Sequence, residues 1–310
     1  MTRTLIVGSG FVGRAVATRL AATGDRPVLA SRRPPAVPAG PREPLDWVPL
    51  DWVPLDWVPL DAADAEACAR TVDRVRPDRL VLVHGPSDVT WCEADPARAA
   101  ALHTAAAANL TAAAPGLRTV LVSTDNVFDG TSPHNDESTP TAPANAYGRA
   151  KLRAEHVVRA APDTTVLRVS LVYGWEPPES GKWLNFFASC AHRLRAGDTV
   201  EAPDDQWTTP VLVDDVAAVT AAALTAGTPP LLHLGGPDRI SRAAWAQAVA
   251  DGLGVPRNRV RPVPRAAGRY ASRPANTCLT SDRLDTLLAA HGLRVRGVAE
   301  GVRTLLEAAP

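Results

Sequence analysis

The chain has 310 residues, and its 33 Lys+Arg exactly offset 33 Asp+Glu. That balance excludes a nucleic-acid wrapper or a membrane-surface binder, because both need a basic excess. A 45% hydrophobic content describes a folded globule with core enough for one large domain or two modest ones.

The opening MTRTLIVGSG lacks the shape of a signal peptide and runs straight into a strand-like segment. No apolar run approaches the roughly 18 residues of a membrane span. Strands are predicted at Thr4–Val7 and Pro27–Ala30, just before Asp61, and at Leu80–Val83, Thr119–Val122 and Thr165–Val169. Helices are predicted over Phe11–Ala22, Asp64–Val75, Pro96–Ala114 and Ala144–Ala160. In the first of these, Val12, Val16 and Leu20 recur at helical spacing and Gly24 ends the pattern. Strands alternating with helices imply βαβ units, hence an α/β fold with a doubly wound parallel sheet. Past residue 172 the pattern loosens and Trp175, Pro177, Pro178 and Trp183 appear, which suggests a smaller second lobe. The expected division is 1–172 for the sheet domain and 173–310 for the lobe. Within the latter, 211–234, with a helix over Asp214–Ala226 and a strand over Leu231–Leu234, returns to the main sheet. Cys68, Cys92, Cys190 and Cys278 are scattered without a CxxC, which predicts reduced thiols of a cytoplasmic protein.

Ahead of the third strand, LDWVP occurs three times, over 45–49, 50–54 and 55–59. Period five fits neither helix nor strand, and a proline in every copy argues against both. The repeat reads as a tandem duplication in a surface loop, of which one copy suffices to reach the strand.

Four motifs carry chemistry. Gly8-Ser9-Gly10-Phe11-Val12-Gly13 sits where the first strand turns into the first helix. There Gly8 permits the turn, Gly10 admits a pyrophosphate, Gly13 lets helix and strand pack closely, and the helix N-terminus faces the anion. This makes the first domain a Rossmann-type dinucleotide site. The second strand ends in Ala30-Ser31-Arg32-Arg33. No acid is present to hold a ribose 2′-hydroxyl, whereas a hydroxyl and two guanidiniums suit the 2′-phosphate of NADP(H). Tyr147-Gly148-Arg149-Ala150-Lys151 puts a phenol and an ammonium one helical turn apart. An adjacent ammonium is expected to lower the phenol's pKa and fit it for acid–base work. The chain has only three tyrosines, and only Lys151 and Lys182 are lysines, so this pair is hard to meet by chance. Finally, Ser123-Thr124-Asp125-Asn126-Val127-Phe128-Asp129-Gly130 leaves a strand at the ligand-binding edge of the sheet, where Thr124 can hydrogen-bond a substrate oxygen.

On these motifs the chain resembles the extended short-chain dehydrogenase/reductases, and more narrowly the dTDP-4-dehydrorhamnose reductase family. Leu167–Gly174, Asp205-Gln206 ahead of Thr209-Pro210, and Arg273-Pro274-Ala275-Asn276 extend the likeness over nearly the whole chain, the LDWVP insertion apart. The resemblance implies that Tyr147 donates a proton to a keto oxygen, that Lys151 tunes Tyr147 and binds the nicotinamide ribose, and that Thr124 orients the carbonyl. It implies cofactor contacts from Asp61 and Ala62 and from the His84-Gly85-Pro86 loop. Substrate contacts are expected from Asp125, Asn126, Trp183 and Arg273. The implied substrate is a nucleotide-linked 4-keto-6-deoxy sugar, with no nucleic acid or membrane partner and with room for a homodimer. Two departures concern the substrate and the loop beside it: Asn126 stands where the family usually has tyrosine, and His103 where it commonly has asparagine.

No metal is expected. Asp136-Glu137 reads as a solvated loop and Asp214-Asp215 as a pair serving a helix dipole. Two further functions stay open on the sequence: a non-catalytic NADP-binding regulatory protein resembling the methionine adenosyltransferase β subunit, and a sugar-nucleotide epimerase or dehydratase.

Overall fold

The computed structural model describes residues 1–35, 55–176, 184–266, 270–271 and 273–308. Trp183 and the first two LDWVP copies lie outside them. The strands are β1 (Arg3–Val7), β2 (Arg26–Ser31), β3 (Asp56–Pro59), β4 (Arg79–Leu82), β5 (Arg118–Thr124), β6 (Thr164–Val169), β7 (Val172–Tyr173), β8 (Val200–Pro203), β9 (Trp207–Thr208), β10 (Val211–Leu212), β11 (Leu231–Leu234), β12 (Ile240–Ser241), β13 (Val260–Val263) and β14 (Asn276–Thr277). Seven of them make one parallel sheet in the order β11-β6-β5-β4-β1-β2-β3. The order reverses between β1 and β4, and open α/β sheets bind ligands at such a switch point, outside the carboxyl ends of the strands.

The helices are α1 (Phe11–Ala22), α2 (Ala65–Val75), α3 (Val89–Ala94), α4 (Pro96–Ala100), α5 (Ala106–Ala113), α6 (Ala146–Arg159), α7 (Phe186–Arg195), α8 (Val213–Ala223), α9 (Arg242–Gly252), α10 (Leu284–His291) and α11 (Val298–Glu307). Strand side chains alternate between the two faces of the sheet. Ile6, Val81, Val120 and Leu167 pack with Val16 and Leu20 of α1 and Val216 and Val219 of α8. Their neighbours Leu5, Leu80, Leu121 and Val166 pack on the other face with Cys68, Leu110, Ala154 and Val158. A separate core of Tyr173, Phe187, Leu194, Trp245 and Val302 gathers α7, α9 and α11 into the second lobe.

Four local expectations change. The last LDWVP copy is itself strand β3: Asp56–Pro59 pairs with Val28–Ser31, and Leu55 and Trp57 pack against the core. Pro59 is tolerated because β3 is the edge strand, bonded on one side only. The helix expected over Pro96–Ala114 is interrupted. Asp95 caps α4 ahead of Pro96, and a π-helical turn, Ala101–Ala105, separates α4 from α5 and holds His103 in the interior. Asp215 does more than serve a dipole, since it is buried and Arg296 donates to it through Nε (2.9 Å) and a terminal nitrogen (2.6 Å), docking the chain ahead of α11. Nor is the 136–137 loop merely solvated. Glu137 accepts from the His233 amide (2.8 Å) and from Ser281, fastening the C-terminal segment to β11.

Candidate active site

The turn between β1 and α1 fits a dinucleotide. Gly8 has φ +118°, and a Cβ there would lie 2.7 Å from the Val83 carbonyl oxygen of the adjoining segment. A Cβ on Gly13 would fall 1.8 Å from the Gly8 oxygen, so the helix could not approach the turn. Gly10 faces open space, and no side chain caps α1 there, so the N-terminus of the helix can face a phosphate. Arg32 and Arg33 are exposed beyond the end of β2. The Ser31 hydroxyl is engaged locally: it accepts from Ser9 (2.7 Å) and from Trp57 Nε1 (2.9 Å) and donates to the Arg33 carbonyl (2.6 Å). Its visible work is to shape the loop that presents the two arginines. Asp61 is exposed where the chain leaves β3 and accepts from the Ala63 amide (3.1 Å), while the Ala62 carbonyl is held by Asn109 (3.0 Å).

Thr124 ends β5, and α6 carries Tyr147 and Lys151 past it. Asn145 caps α6 by accepting from the Gly148 amide (2.8 Å), and Glu93 accepts from the Ala146 amide (2.7 Å), so the start of the helix is held from two sides. Lys151 is buried and donates to the Val122 carbonyl (2.6 Å). Burial brings its ammonium down to about 8, with Glu155 opposing. The Tyr147 phenol is not lowered as the helical spacing predicts. Burial pushes it up, Asp125 and Cys92 add to the rise, and only hydrogen bonding from Thr124 works the other way. With the ammonium turned to a backbone carbonyl, Tyr147 is held as the protonated phenol, the form a proton donor requires.

The two histidines brace this centre from the far side. His84 Nε2 bonds the His103 carbonyl (3.0 Å), His103 Nε2 bonds the Pro86 carbonyl (3.0 Å), and the His103 ring meets Tyr147 edge-on at 5.6 Å. Burial, reinforced by the Lys151 charge, lowers His84 to about 4 and His103 to about 3, so both rings are neutral. Gly85 and Pro86 reach the surface beside them.

Asp125 and Asn126 lie at the centre but are largely committed within the protein. Asp125 accepts from Asn126 Nδ2 (2.8 Å) and from Ser170 (3.2 Å), and burial raises it to about 6 against those hydrogen bonds. Asn126 also donates to Thr124 through its backbone amide (3.2 Å) and accepts from Asn145 Nδ2 (3.0 Å). Ser170 also bonds Thr208 (3.0 Å) and lies 3.2 Å from the Thr277 carbonyl, an alternative acceptor for its one proton, which bolts the sheet β12-β9-β14 of the second lobe to the end of β5. Arg273 is half-buried in the segment leading to β14, its carbonyl held by Arg265 (2.9 Å). Sequence reasoning missed Asn145, Ser170, Thr208 and Thr277. Asn145 alone left a signal, as a cap residue directly before a helical run.

The RmlD substrate binding domain family matches residues 2–308. A probable low-salt glycan biosynthesis reductase of Haloferax volcanii is 31% identical over 221 residues, 70% of this chain and 73% of that protein. A dTDP-4-keto-6-deoxy-D-glucose reductase of Streptomyces niveus is 33% identical over 222 residues, 68% of this chain and 73% of that protein. The β subunit of rat methionine adenosyltransferase 2 is 28% identical over 235 residues, 72% of this chain and 69% of that protein. Among solved structures, dTDP-4-dehydrorhamnose reductase from Yersinia enterocolitica superposes with a TM-score of 0.81 at 22% identity, over 99% of both chains. The Bacillus anthracis enzyme, solved in complex with NADP, superposes with a TM-score of 0.78 at 19% identity, over 100% of both chains. With its glycine turn and its Thr124, Tyr147 and Lys151 set on one sheet edge, the chain belongs to the RmlD substrate binding domain family and has a Rossmann-type fold.

Proposed function

We propose that this protein is an NADPH-dependent ketoreductase acting on a nucleotide-linked 4-keto-6-deoxy sugar. The observation that carries the reading is the convergence of Thr124, Tyr147 and Lys151 at the carboxyl edge of β5 and on α6, beside an uncapped glycine turn. Relatives named as reductases of such sugars, and a structural neighbour solved with NADP, support it.

The cofactor, when bound, supplies the hydride. Gly8, Gly10 and Gly13 with the α1 amides would hold its pyrophosphate, Arg32 and Arg33 its 2′-phosphate, Lys151 its nicotinamide ribose, and Asp61, Ala62 and the 84–86 loop its remaining edges. Tyr147 gives its phenolic proton to the keto oxygen as negative charge develops there. Thr124 donates to the same oxygen and fixes its direction. Lys151, cationic below about pH 8, would stabilise the phenolate left behind once its ammonium turns from the Val122 carbonyl toward the bound cofactor and Tyr147. Arg273 and Trp183 contact the substrate. The body 1–172 with 211–234 binds the cofactor, and the rest of 173–310 closes over the sugar. We place the protein in the cytoplasm and allow it a homodimer.

The test is NADPH oxidation by the purified protein against a panel of nucleotide-linked keto sugars. Turnover with a 4-keto-6-deoxy sugar supports the reading. NADPH binding without turnover on any of them would assign the protein to the regulatory class, and conversion of the sugar without net NADPH loss would make it an epimerase or dehydratase.

A further inference from the structure

Arg242 opens α9 immediately after β12, and it is only 8% exposed. Its Nε has no hydrogen-bond partner, and it forms no ion pair among the described residues. Its guanidinium lies over the Phe186 ring at 4.9 Å. The other buried arginines are compensated: Glu155 holds Arg168 (2.7 Å), and Asp163 holds Arg118 (3.1 Å). A buried guanidinium without a counter-charge is costly, and a ring face offsets only part of that cost.

The fold brings the start of α9, and with it Arg242, toward the reaction centre. β12 pairs with β9, β9 pairs with β14, and Thr208 and Thr277 of those two strands meet Ser170, which donates to Asp125 beside Thr124. Asp125, Tyr270 and Arg273 all act electrostatically on Arg242. Burial brings the guanidinium down to about 10, which leaves it fully cationic at neutrality. A second orphan adjoins it. The Gln206 carbonyl accepts from the Arg242 amide (3.0 Å), and Gln206, 2% exposed, has no donor for its Oε1. A buried guanidinium with an unpartnered Nε, on a residue whose backbone bonds that of a residue with an unpartnered acceptor, fits a ligand that brings both an oxyanion and a hydroxyl or N–H group.

We propose that Arg242 is an oxyanion-binding residue of the substrate cleft, taking a phosphate or carboxylate oxygen of the ligand while Arg273 adds a second positive charge. This deepens the reading above and rests on it for the choice of a sugar nucleotide. The same guanidinium–oxyanion chemistry could meet the diphosphate that joins nucleoside to sugar or a carboxylate on the sugar itself.

The experiment titrates the NADPH-loaded protein with dTDP, thymidine, UDP-glucuronate and UDP-glucose, in wild type and in Arg242→Gln and Arg242→Lys. The expected result is a roughly ten- to hundred-fold loss of dTDP affinity in Arg242→Gln. Arg242→Lys should lose less, and thymidine and NADPH binding should hold. A loss confined to UDP-glucuronate, with dTDP and UDP-glucose unchanged, also supports the site and assigns it to a sugar carboxylate. Equal binding of every ligand by wild type and Arg242→Gln overturns the proposal. So does a parallel loss for thymidine, dTDP and NADPH, which would make Arg242 a packing residue, and so does a wild type that binds dTDP no more tightly than thymidine and UDP-glucuronate no more tightly than UDP-glucose. Should Arg242→Gln not fold, Arg242→Lys, which keeps the charge but loses the planar fork, must still weaken an oxyanion ligand relative to its counterpart; equal binding overturns the proposal. Arg242-dependent dTDP binding without reduction of any keto sugar would sink the reductase reading and leave the anion site standing.

Discussion

Asn145 donates its side-chain amide to the Asn126 side-chain oxygen at 3.0 Å, and this contact, beside the bond from Lys151 to the Val122 carbonyl, ties together the two halves of the reaction centre. Asn126 holds Thr124 and Asp125, and Asn145 caps the helix of Tyr147 and Lys151. The residue that departs from the family's usual tyrosine has thus become part of the scaffold. Asn145→Ala should lose a cap and the bridge together, lowering stability by about 1–2 kcal/mol. Turnover should fall more than NADPH affinity, because the cofactor's glycine turn is untouched. Denaturant unfolding beside steady-state kinetics checks this, and an unchanged turnover number would show that the bridge does not position the centre.

Tyr147→Phe keeps the ring against His103 and removes only the proton donor. Turnover should drop about 10²–10⁴-fold while NADPH binding survives. Lys151→Met should impair both. Because Lys151 titrates near 8, NADPH affinity should also weaken as pH rises through that value. A Tyr147→Phe protein with near-normal activity would remove Tyr147 from the chemistry.

Replacing both Arg32 and Arg33 by alanine should weaken NADPH far more than NADH. Each charge-assisted hydrogen bond to the 2′-phosphate contributes about 1.5–3 kcal/mol. Comparable losses for the two cofactors, measured by fluorescence titration, would contradict the assignment.

Acid should destabilise the fold through the buried histidines. Their ordinary value is 6.5, so below it the unfolded chain takes up protons that the native state refuses until about 4 at His84 and about 3 at His103. Stability is therefore lost as pH falls from about 6.5. Asp125 has the opposite sign: raised from 3.8 to about 6, it adds stability over the same descent. Two groups outweigh one, for a net loss on the order of 3 kcal/mol by pH 4. Urea unfolding across that range measures it, and His103→Asn should flatten the slope. Stability that stays level or rises on acidification would exclude these protonation states.

Deleting 45–54 should leave folding and activity nearly intact. The copy at 55–59 already supplies β3 with Trp57 bonded to Ser31, and loop-closure entropy changes slowly with length. A large fall in melting temperature or turnover in the deletion variant would show that the missing copies pack on the body or on a partner.

What the sequence made legible was local or periodic. The sheet followed from strands alternating with helices. The glycine turn and the Tyr147–Lys151 pair followed from spacing within one turn of chain. The remainder depends on distant partners. The rise at Tyr147 comes first from burial, which the whole fold produces, while the Val122 carbonyl on another element engages the Lys151 ammonium. The bolt from Asp125 through Ser170 to Thr208 and Thr277 spans more than 150 positions of chain. Arg242 gave no sign because in an arginine-rich chain one more arginine reads as surface. The strand before Asp61 was legible, but that the last repeat copy forms it was not, because proline breaks only a strand that is bonded on both sides, and edge position is a property of the whole sheet.

That edge strand has a consequence for how its register is chosen. Every five-residue unit between 45 and 59 carries the same side chains and is followed by Leu-Asp, so sliding the chain by one unit would offer β2 an identical partner. The strand therefore cannot encode its own alignment. The choice falls to the next residue, since after Leu60-Asp61 comes Ala62, small enough to pack half-buried against the core while its carbonyl takes the Asn109 amide. A slip would bring a tryptophan to that place. One alanine outside the repeat thus breaks a degeneracy that the repeat itself creates.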